Sequence, residues 1–369
     1  MQPATESELA AAIKGANGPL SIVGGGTRML KPAGGASLET SGLSGITLYE
    51  PGALTLVARA GTTLDEIEAA LEAENQRLAF EPPRLASVLG RQGKSTIGGI
   101  VAANASGPRR IQAGACRDYA LGVRFVDGAG TVVKNGGRVM KNVTGYDLVK
   151  LMAGSWGTLG VLSEVGLKVM PKPETAATLS LHGLSPTDAI AAMSRALGSP
   201  FDVTGAAHLP AEAKTLVRIE GFADSVAYRT EQLSGLLRSF GEIGQADNAI
   251  WNNVRDLKPF VGTNSDIWRV SVRPSDGAAV VAALPEDADW FFDWGGGLVW
   301  VACPAGTNLR NALAAIGGHA TLVRADAATH SAFGTFQPEP PAVTALSDGL
   351  RARFDPRSIL NAGLMRAAA

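Results

Sequence analysis

Residues 95–107 read Ser95-Thr-Ile-Gly-Gly-Ile-Val-Ala-Ala-Asn-Ala-Ser-Gly107. Two adjacent glycines, three alanines and two serines fall within this run, and no charge appears until Arg109. The stretch has too little bulk to fill a core and too little polarity to solvate a surface. It does permit backbone to approach a flat or anionic group closely, because glycine has no Cβ in the way. Val23-Gly-Gly-Gly-Thr-Arg28 has the same character upstream, and Gly157-Thr-Leu-Gly160 has it downstream. Three such runs in the first half of the chain predict one large cofactor touched from three sides.

Composition bounds the rest. A chain of 369 residues is long for one domain and comfortable for two. Apolar residues make up 46% and charged residues 18%, enough for a sizeable core. A net charge of −1 provides no basic field for nucleic acid or an anionic membrane. The 45 glycines are clustered, which marks special backbone positions. Cys116 and Cys303 are the only cysteines and fit a reducing compartment, as two free thiols or as one pair. Met1 to Lys14 has neither the basic nor the apolar region of a secretory signal. No run approaches the ~20 apolar residues of a membrane span. The expected location is cytoplasmic, with peripheral attachment to the inner membrane through partners left open.

Around the small-residue runs, Thr5-Glu-Ser-Glu8 is a capping box opening a helix through Ile13. Leu20–Val23 reads as a strand emptying into the glycine loop. Residues 46–49 and 54–59 read as strands joined at Pro51-Gly52. Thr63 caps an amphipathic helix with Leu64, Ile67 and Leu71 on one side. Leu121–Val126 and Thr131–Lys134 form a hairpin about Asp127-Gly-Ala-Gly130. Asp147–Ala153 is a short helix. From Val161, alternation of Val165, Leu167 and Val169 with Gly166 and Lys168 predicts a half-buried strand ending at Pro171-Lys-Pro173.

Beyond Pro173 strand and helix signals alternate. Strands are expected at 177–181, near Val203, and at 216–220, 267–273, 290–294, 298–303 and 320–324. Helices are expected from Ser185, at 224–240, 275–284, 308–316 and 343–354, and residues 330–341 read as a loop. Two βαββαβ halves of this kind make an antiparallel sheet with helices on one face. The predicted fold is therefore α+β. Residues 1–173 form a first domain, 174–342 a cap domain with ferredoxin-like halves, and 343–369 a segment returning to the first domain.

The loop Gly24-Gly25-Gly26-Thr27 follows a strand and can turn several N–H groups toward one anion, or can simply connect two elements. It is not a Walker loop, since no Lys-Ser/Thr follows the last glycine, and Pro32 opposes a dinucleotide fingerprint. Thr96, Asn104 and Ser106 could bond ring heteroatoms or phosphate, or the run could serve backbone packing alone.

Seven motifs occur together: Gly24-Gly-Gly-Thr27; Phe80-Glu-Pro-Pro83; Thr96-Ile-Gly-Gly-x-x-Ala-x-Asn-Ala-x-Gly107; Gly114-x-x-Arg-Asp-x-x-Leu-Gly122; Lys141-Asn-x-Thr-Gly-Tyr-Asp-Leu148; Gly157-Thr-Leu-Gly-Val161; and Asp355-Pro-x-x-x-Leu-Asn-x-Gly363. In order and spacing, over nearly the whole chain, the set resembles the vanillyl-alcohol-oxidase / p-cresol-methylhydroxylase (PCMH-type) FAD-binding flavoproteins. The resemblance implies FAD between two α+β subdomains, the pyrophosphate held by Gly24, Gly25, Gly26 and Thr27. It implies Thr96, Gly98, Gly99, Asn104 and Gly107 along the ribityl chain and flavin, and Val161 beside Gly160 at the adenine. Arg28, Pro83 and Ser106 belong to the same cofactor-binding set. It further implies a subunit of a glycolate oxidase type of complex, oxidising a 2-hydroxy acid to a 2-oxo acid. The partners would be a catalytic flavoprotein subunit (D-type) and an iron–sulfur subunit (F-type).

The chain departs from that family pattern in ways that shape the expectation. No His occurs before His182, and Cys116 lies past the second run, so non-covalent FAD is expected. Where metal-bearing relatives carry a His-containing stretch, this chain reads Asp293-Trp-Gly-Gly-Gly-Leu-Val-Trp300. His182, His208, His319 and His330 stand at no ligand spacing, so no metal is expected. Catalytic residues are unassigned. Arg269, Arg273 and Arg324 could bind a carboxylate or be solvated strand-face residues. Tyr146 is open between a role and a turn position, while Lys150 reads as surface. Arg109-Arg110 could meet a phosphate or a partner's acidic patch. Trp251, Trp268, Trp290, Trp294 and Trp300 suit either an interface or a core. Alternatives to the complex subunit are an independent FAD-dependent oxidoreductase of a small hydroxy acid or alcohol, and a flavin-free assembly scaffold.

Overall fold

The computed structural model describes residues 1–30, 34–137 and 145–365. Pro32, and Lys141, Asn142 and Thr144 of the fifth motif, lie outside them. The chain divides into two compact units. The first comprises residues 1–106, 115–172 and the segment from Pro338, and the second comprises Gly107–Gly114 and Pro173–Gln337. Gly107–Gly114 thus groups with the second unit rather than with its neighbours in sequence.

In the first unit the strands are Leu20–Val23 (β1), Ala36–Glu39 (β2), Ile46–Glu50 (β3), Thr55–Arg59 (β4), Gln76–Arg77 (β5), Ala120–Val126 (β6), Val132–Gly136 (β7), Val161–Lys168 (β8) and Met170–Pro171 (β9). β1 and β2 pair in parallel. A five-stranded antiparallel sheet runs β3-β4-β8-β6-β7, and β5 pairs with β9. Helix starts follow from their caps. The Thr5 hydroxyl accepts from Glu8 N–H at 3.2 Å to open Glu6–Lys14, and Thr63 does the same for Glu66 N–H to open Leu64–Ala73. Leu64, Ile67 and Leu71 then share one face and bury against Leu56, Val165 and Leu167.

Two expectations are corrected here. The small-residue run does build core: Ile97–Ala102 is a helix capped by Thr96, and Ile97, Ile100 and Val101 are fully buried. The spacing i, i+3, i+4 puts those three on one face. β8 is buried on both faces rather than half-buried, because it is the central strand between β4 and β6.

In the second unit the strands are Thr175–His182 (β10), Val203–Leu209 (β11), Lys214–Gly221 (β12), Ile243–Ala246 (β13), Asp266–Ser271 (β14), Asp289–Asp293 (β15), Leu298–Cys303 (β16) and His319–Arg324 (β17). They form one antiparallel sheet in the order β13-β10-β12-β11-β15-β16-β14-β17. β10 to β13 and β14 to β17 repeat the same ferredoxin-like order, joined through His208 of β11 opposite Phe292 of β15. Pro186–Leu197 and Ala223–Leu237 pack on the sheet through Ala189, Met193, Leu233 and Leu237 against Leu179, Val217 and Ile219.

Local differences have local causes. β13 and the helix Ile250–Arg255 carry little sequence signal and were not expected. Helices expected at 275–284 and 308–316 shorten to Gly277–Ala282 and Leu309–Ala312. The loop expected from His330 is partly a helix, Ala327–Phe333. Asp326 accepts from Thr329 N–H at 2.7 Å, and Thr329 and His330 are buried. Trp251, Trp268 and Trp300 are buried, so these three belong to the core. No described helix is long and apolar enough to cross a membrane.

Candidate functional site

The first unit holds a cavity of about 880 Å³, counting its open mouth. One wall is β1 and the loop after it, through Leu30; a second is the start of the Ile97–Ala102 helix. The turn at Trp156 and Gly157, the strand entry Gly160–Leu162, and Asn361 with Leu364 complete it.

The first glycine loop earns its composition twice. A Cβ on Gly25 would stand 1.6 Å from the Lys94 carbonyl oxygen, and one on Gly24 would stand 2.5 Å from Thr96 Oγ1. A Cβ on Gly93 would likewise meet the Gly25 carbonyl oxygen at 2.3 Å. The two backbones therefore interlock, tied further by the Thr27 and Ser95 hydroxyls at 2.9 Å. Gly26 differs: its φ of +70° needs glycine, while a Cβ there would meet nothing within 4 Å. Among the described residues, the N–H groups of Gly25, Gly26 and Thr27 donate to no protein acceptor. Such a row of free donors is an anion nest. The remaining surface is largely apolar: Ile22, Val23, Leu30, Ala102, Trp156 and Leu162.

Gly98 and Gly160 are glycines for packing. Their Cβ positions fall 2.6 Å from Ala60 Cβ and 2.6 Å from the Phe125 ring. Both still line the cavity, with Thr96, Gly99 and Val161.

Ten of the fourteen cofactor-site candidates thus meet at one cavity: Gly24, Gly25, Gly26, Thr27, Arg28, Thr96, Gly98, Gly99, Gly160 and Val161. The other four sit elsewhere. The Pro83 carbonyl accepts from the buried Arg28 guanidinium, so Pro83 anchors a lining residue. Asn104 Oδ1 accepts from Arg117 N–H at 3.0 Å, and Ser106 Oγ accepts from Cys116 N–H at 2.9 Å. Both fix the turn before Cys116–Tyr119. Gly107 falls in the second unit, where its carbonyl accepts from Trp294 Nε1 at 3.1 Å.

Asn361 is a lining residue that sequence reasoning quoted within a motif but gave no role. Its Oδ1 accepts from Ile22 N–H at 2.7 Å and its Nδ2 donates to the Trp156 carbonyl at 2.8 Å. One side chain thereby fixes two cavity walls. The chain separation of 339 residues hides that link from any local pattern. Cys116 is fully buried, burial pushes its thiol pKa up, and it does not line the cavity. No His does either.

A donor nest for an anion beside flat apolar walls fits FAD, whose pyrophosphate and ring systems need those two environments. Gly25, Gly26 and Thr27 would hold the pyrophosphate, and the apolar walls a ring.

The catalytic candidates scatter. Tyr146 is exposed at the surface. Arg273 is exposed and pairs with Asp276 at 2.8 Å. Arg324 donates to the Ser265 carbonyl at 2.8 Å and Thr263 Oγ1 at 2.7 Å, so both its role and its geometry are structural. Arg109 forms a two-pronged pair with the buried Glu220, both contacts 2.9 Å. Arg269 lies against the Trp294 indole, 5.0 Å from the ring centre. Among the described residues no group of three or more His, Cys, Asp or Glu could hold a metal ion.

Comparison with known proteins places this geometry. The FAD binding domain family model matches residues 1–136. Glycolate oxidase subunit GlcE of Escherichia coli is 35% identical over 354 residues, 95% of this chain and 93% of that protein. Glycolate oxidase subunit GlcD of Bacillus subtilis is 42% identical over 127 residues, only 34% of this chain and 25% of that protein. A D-lactate dehydrogenase of Anaerostipes hadrus is 33% identical over 46% of this chain and 34% of its own. Among solved structures, alkyldihydroxyacetonephosphate synthase superposes with a TM-score of 0.72 at 16% identity, over 98% of this chain and 76% of that one, a likeness of fold. The near full-length identity to GlcE, the matched domain and the nest-bearing cavity together make this chain a member of the GlcE-like family of FAD-linked oxidoreductases, with a PCMH-type FAD-binding domain.

Proposed function

We propose that this chain is the FAD-binding subunit of a glycolate oxidase or dehydrogenase that converts glycolate to glyoxylate. It works with a catalytic flavoprotein subunit of the D type and an iron–sulfur subunit of the F type. The observation that carries the assignment is the make-up of the cavity: among its described lining residues Arg28 is the only one with an ionisable side chain, and that guanidinium donates to Pro83. The site can bind and orient a flavin, and its described lining residues include no carboxylate, imidazole or amine to take a substrate proton. Bound FAD supplies two-electron acceptance at the flavin ring.

The chain's own residues act by position. The Gly25–Thr27 N–H groups fix the anionic part of the cofactor. Thr96 caps the helix whose first turn lines the cavity, and Asn361 keeps the two walls in register. With no His or Cys in the lining, the flavin is held non-covalently. Two isolated cysteines cannot ligate an iron–sulfur cluster, so electrons leave through a partner.

The test is anaerobic addition of glycolate to the flavin-loaded chain, alone and after co-expression with D-type and F-type subunits. The expected result is an unchanged flavin spectrum for the isolated chain and bleaching only in the assembled complex. Bleaching of the isolated chain would establish an independent oxidoreductase and overturn the accessory assignment.

A further inference from the structure

The second unit holds one arginine unlike the others. Arg310 donates to the carbonyls of Ala320, Phe333 and Thr335. Arg324 donates to Ser265 and Thr263, and Arg229 to Phe201 and Glu220 carbonyls. These three half-buried guanidiniums each donate to two or more protein acceptors, as desolvated donors require. Arg269, half-buried in the middle of β14, is the exception. Among the described residues its guanidinium donates no hydrogen bond and forms no ion pair; its neighbour is the Trp294 indole at 5.0 Å.

The surroundings make the exception costlier. Arg110 lies over the same indole at 4.7 Å. Burial, and then the Arg110 charge, hold the Arg269 pKa down to about 10, with Asp293 opposing. Asp293 gives one oxygen to Trp294 N–H at 2.7 Å. His319, exposed at the start of β17, is close enough that both guanidiniums depress its pKa, after the larger effect of partial burial. Arg269 and His319 occur on neighbouring paired strands, with Arg269 opposite Thr321 and Ser271 opposite His319, so period-two alternation puts them on one sheet face. Two cations and an imidazole are therefore gathered with one nearby acid, and the exposed His319 marks a side open to solutes.

We propose that Arg269, with Arg110, Trp294 and His319, forms a binding site for a small monocarboxylate. The free guanidinium fork matches two carboxylate oxygens. The indole provides a flat wall beside it, and Arg110 and His319 add positive potential. Every residue of the site belongs to the second unit, so the assignment does not rest on the flavin reading.

The experiment follows the His319 ring by NMR in the FAD-loaded protein during titration with glycolate, with glycolamide as the uncharged analogue and inorganic phosphate as a competing anion. His319→Gln identifies the resonance among the four histidines. Glycolate is expected to shift it saturably and raise its pKa, while glycolamide does neither. Arg269→Gln is expected to weaken glycolate at least tenfold, and Arg269→Lys, which keeps the charge without the fork, by less. Phosphate is expected to bind more weakly than glycolate.

An unmoved His319, equal effects of glycolate and glycolamide, phosphate binding as tightly as glycolate, or wild-type affinity in a folded Arg269→Gln protein would each overturn the proposal. Should Arg269→Gln fail to fold, the comparison of glycolate with glycolamide in the unaltered protein still decides it. A separate FAD titration keeps the two assignments distinct: carboxylate binding without flavin binding would sink only the flavin assignment, and the reverse only this one.

Discussion

Replacing Gly25 by Ala tests the interlocked loops directly. The new Cβ would lie 1.6 Å from the Lys94 carbonyl oxygen, where ordinary contact begins near 3.4 Å. One backbone must retreat by about 1.8 Å, the difference of those two distances. Neither can do so freely. Ser95 O accepts from Leu64 N–H at 2.8 Å, Thr62 O accepts from Ile97 N–H at 2.9 Å, and the Thr27–Ser95 hydroxyl pair crosses the junction. Overpacking costs about 1–3 kcal/mol, and loss of one hydrogen bond adds about 1 kcal/mol. A loss of roughly 2–4 kcal/mol in the first unit follows, a melting point lower by roughly 5–15 °C. FAD affinity falls at least tenfold, because the displaced N–H groups no longer converge.

Gly26→Ala is the control. Its Cβ meets nothing within 4 Å, and its φ of +70° costs only about 1–2 kcal/mol. Thermal melts and flavin-fluorescence titrations of both variants check the ranking. A Gly25→Ala protein with wild-type melting point and FAD affinity would refute the interlock.

Asn361→Leu leaves Ile22 N–H and the Trp156 carbonyl without their partner, each costing about 1–3 kcal/mol. FAD affinity should fall with stability, and a variant that melts lower yet binds FAD normally would separate Asn361 from the cavity. In the second unit, burial holds the His208 pKa down to about 4, against 6.5 for an exposed imidazole. The unfolded chain therefore takes up the proton first on acidification. The stability tied to the neutral ring is complete above pH 6.5 and drains as pH falls toward 4, by about 3 kcal/mol at most. Urea melts of the second unit across that window should show this slope, and His208→Gln should flatten it.

The capped helices, the hairpin around Asp127 and the repeated ferredoxin-like order were legible because each rests on short-range signals: a cap three residues from its donor, a turn pair, strands of alternating residues. The glycine loop was legible as a site for the same reason. What stayed hidden depends on separation. Reading residues 95–107 as too small for a core overlooked that Ile97, Ile100 and Val101 share a helix face, while Gly98 lets Ala60 approach. Asn104 and Ser106 have the right chemistry for a ligand, but the Asn104 Oδ1 and the Ser106 Oγ already accept from the Arg117 and Cys116 N–H groups. Neither Asn361 beside Ile22 nor Arg110 beside Arg269 follows from spacing, since only the closed fold brings them together.

Titration of the purified chain with FAD, followed by visible absorption after gel filtration, bears most directly on the central claim. A flavin spectrum retained at one FAD per chain, released intact by denaturation and lost in Gly25→Ala, is the predicted result. A chain that passes through the column colourless, folded and with excess FAD supplied would contradict it.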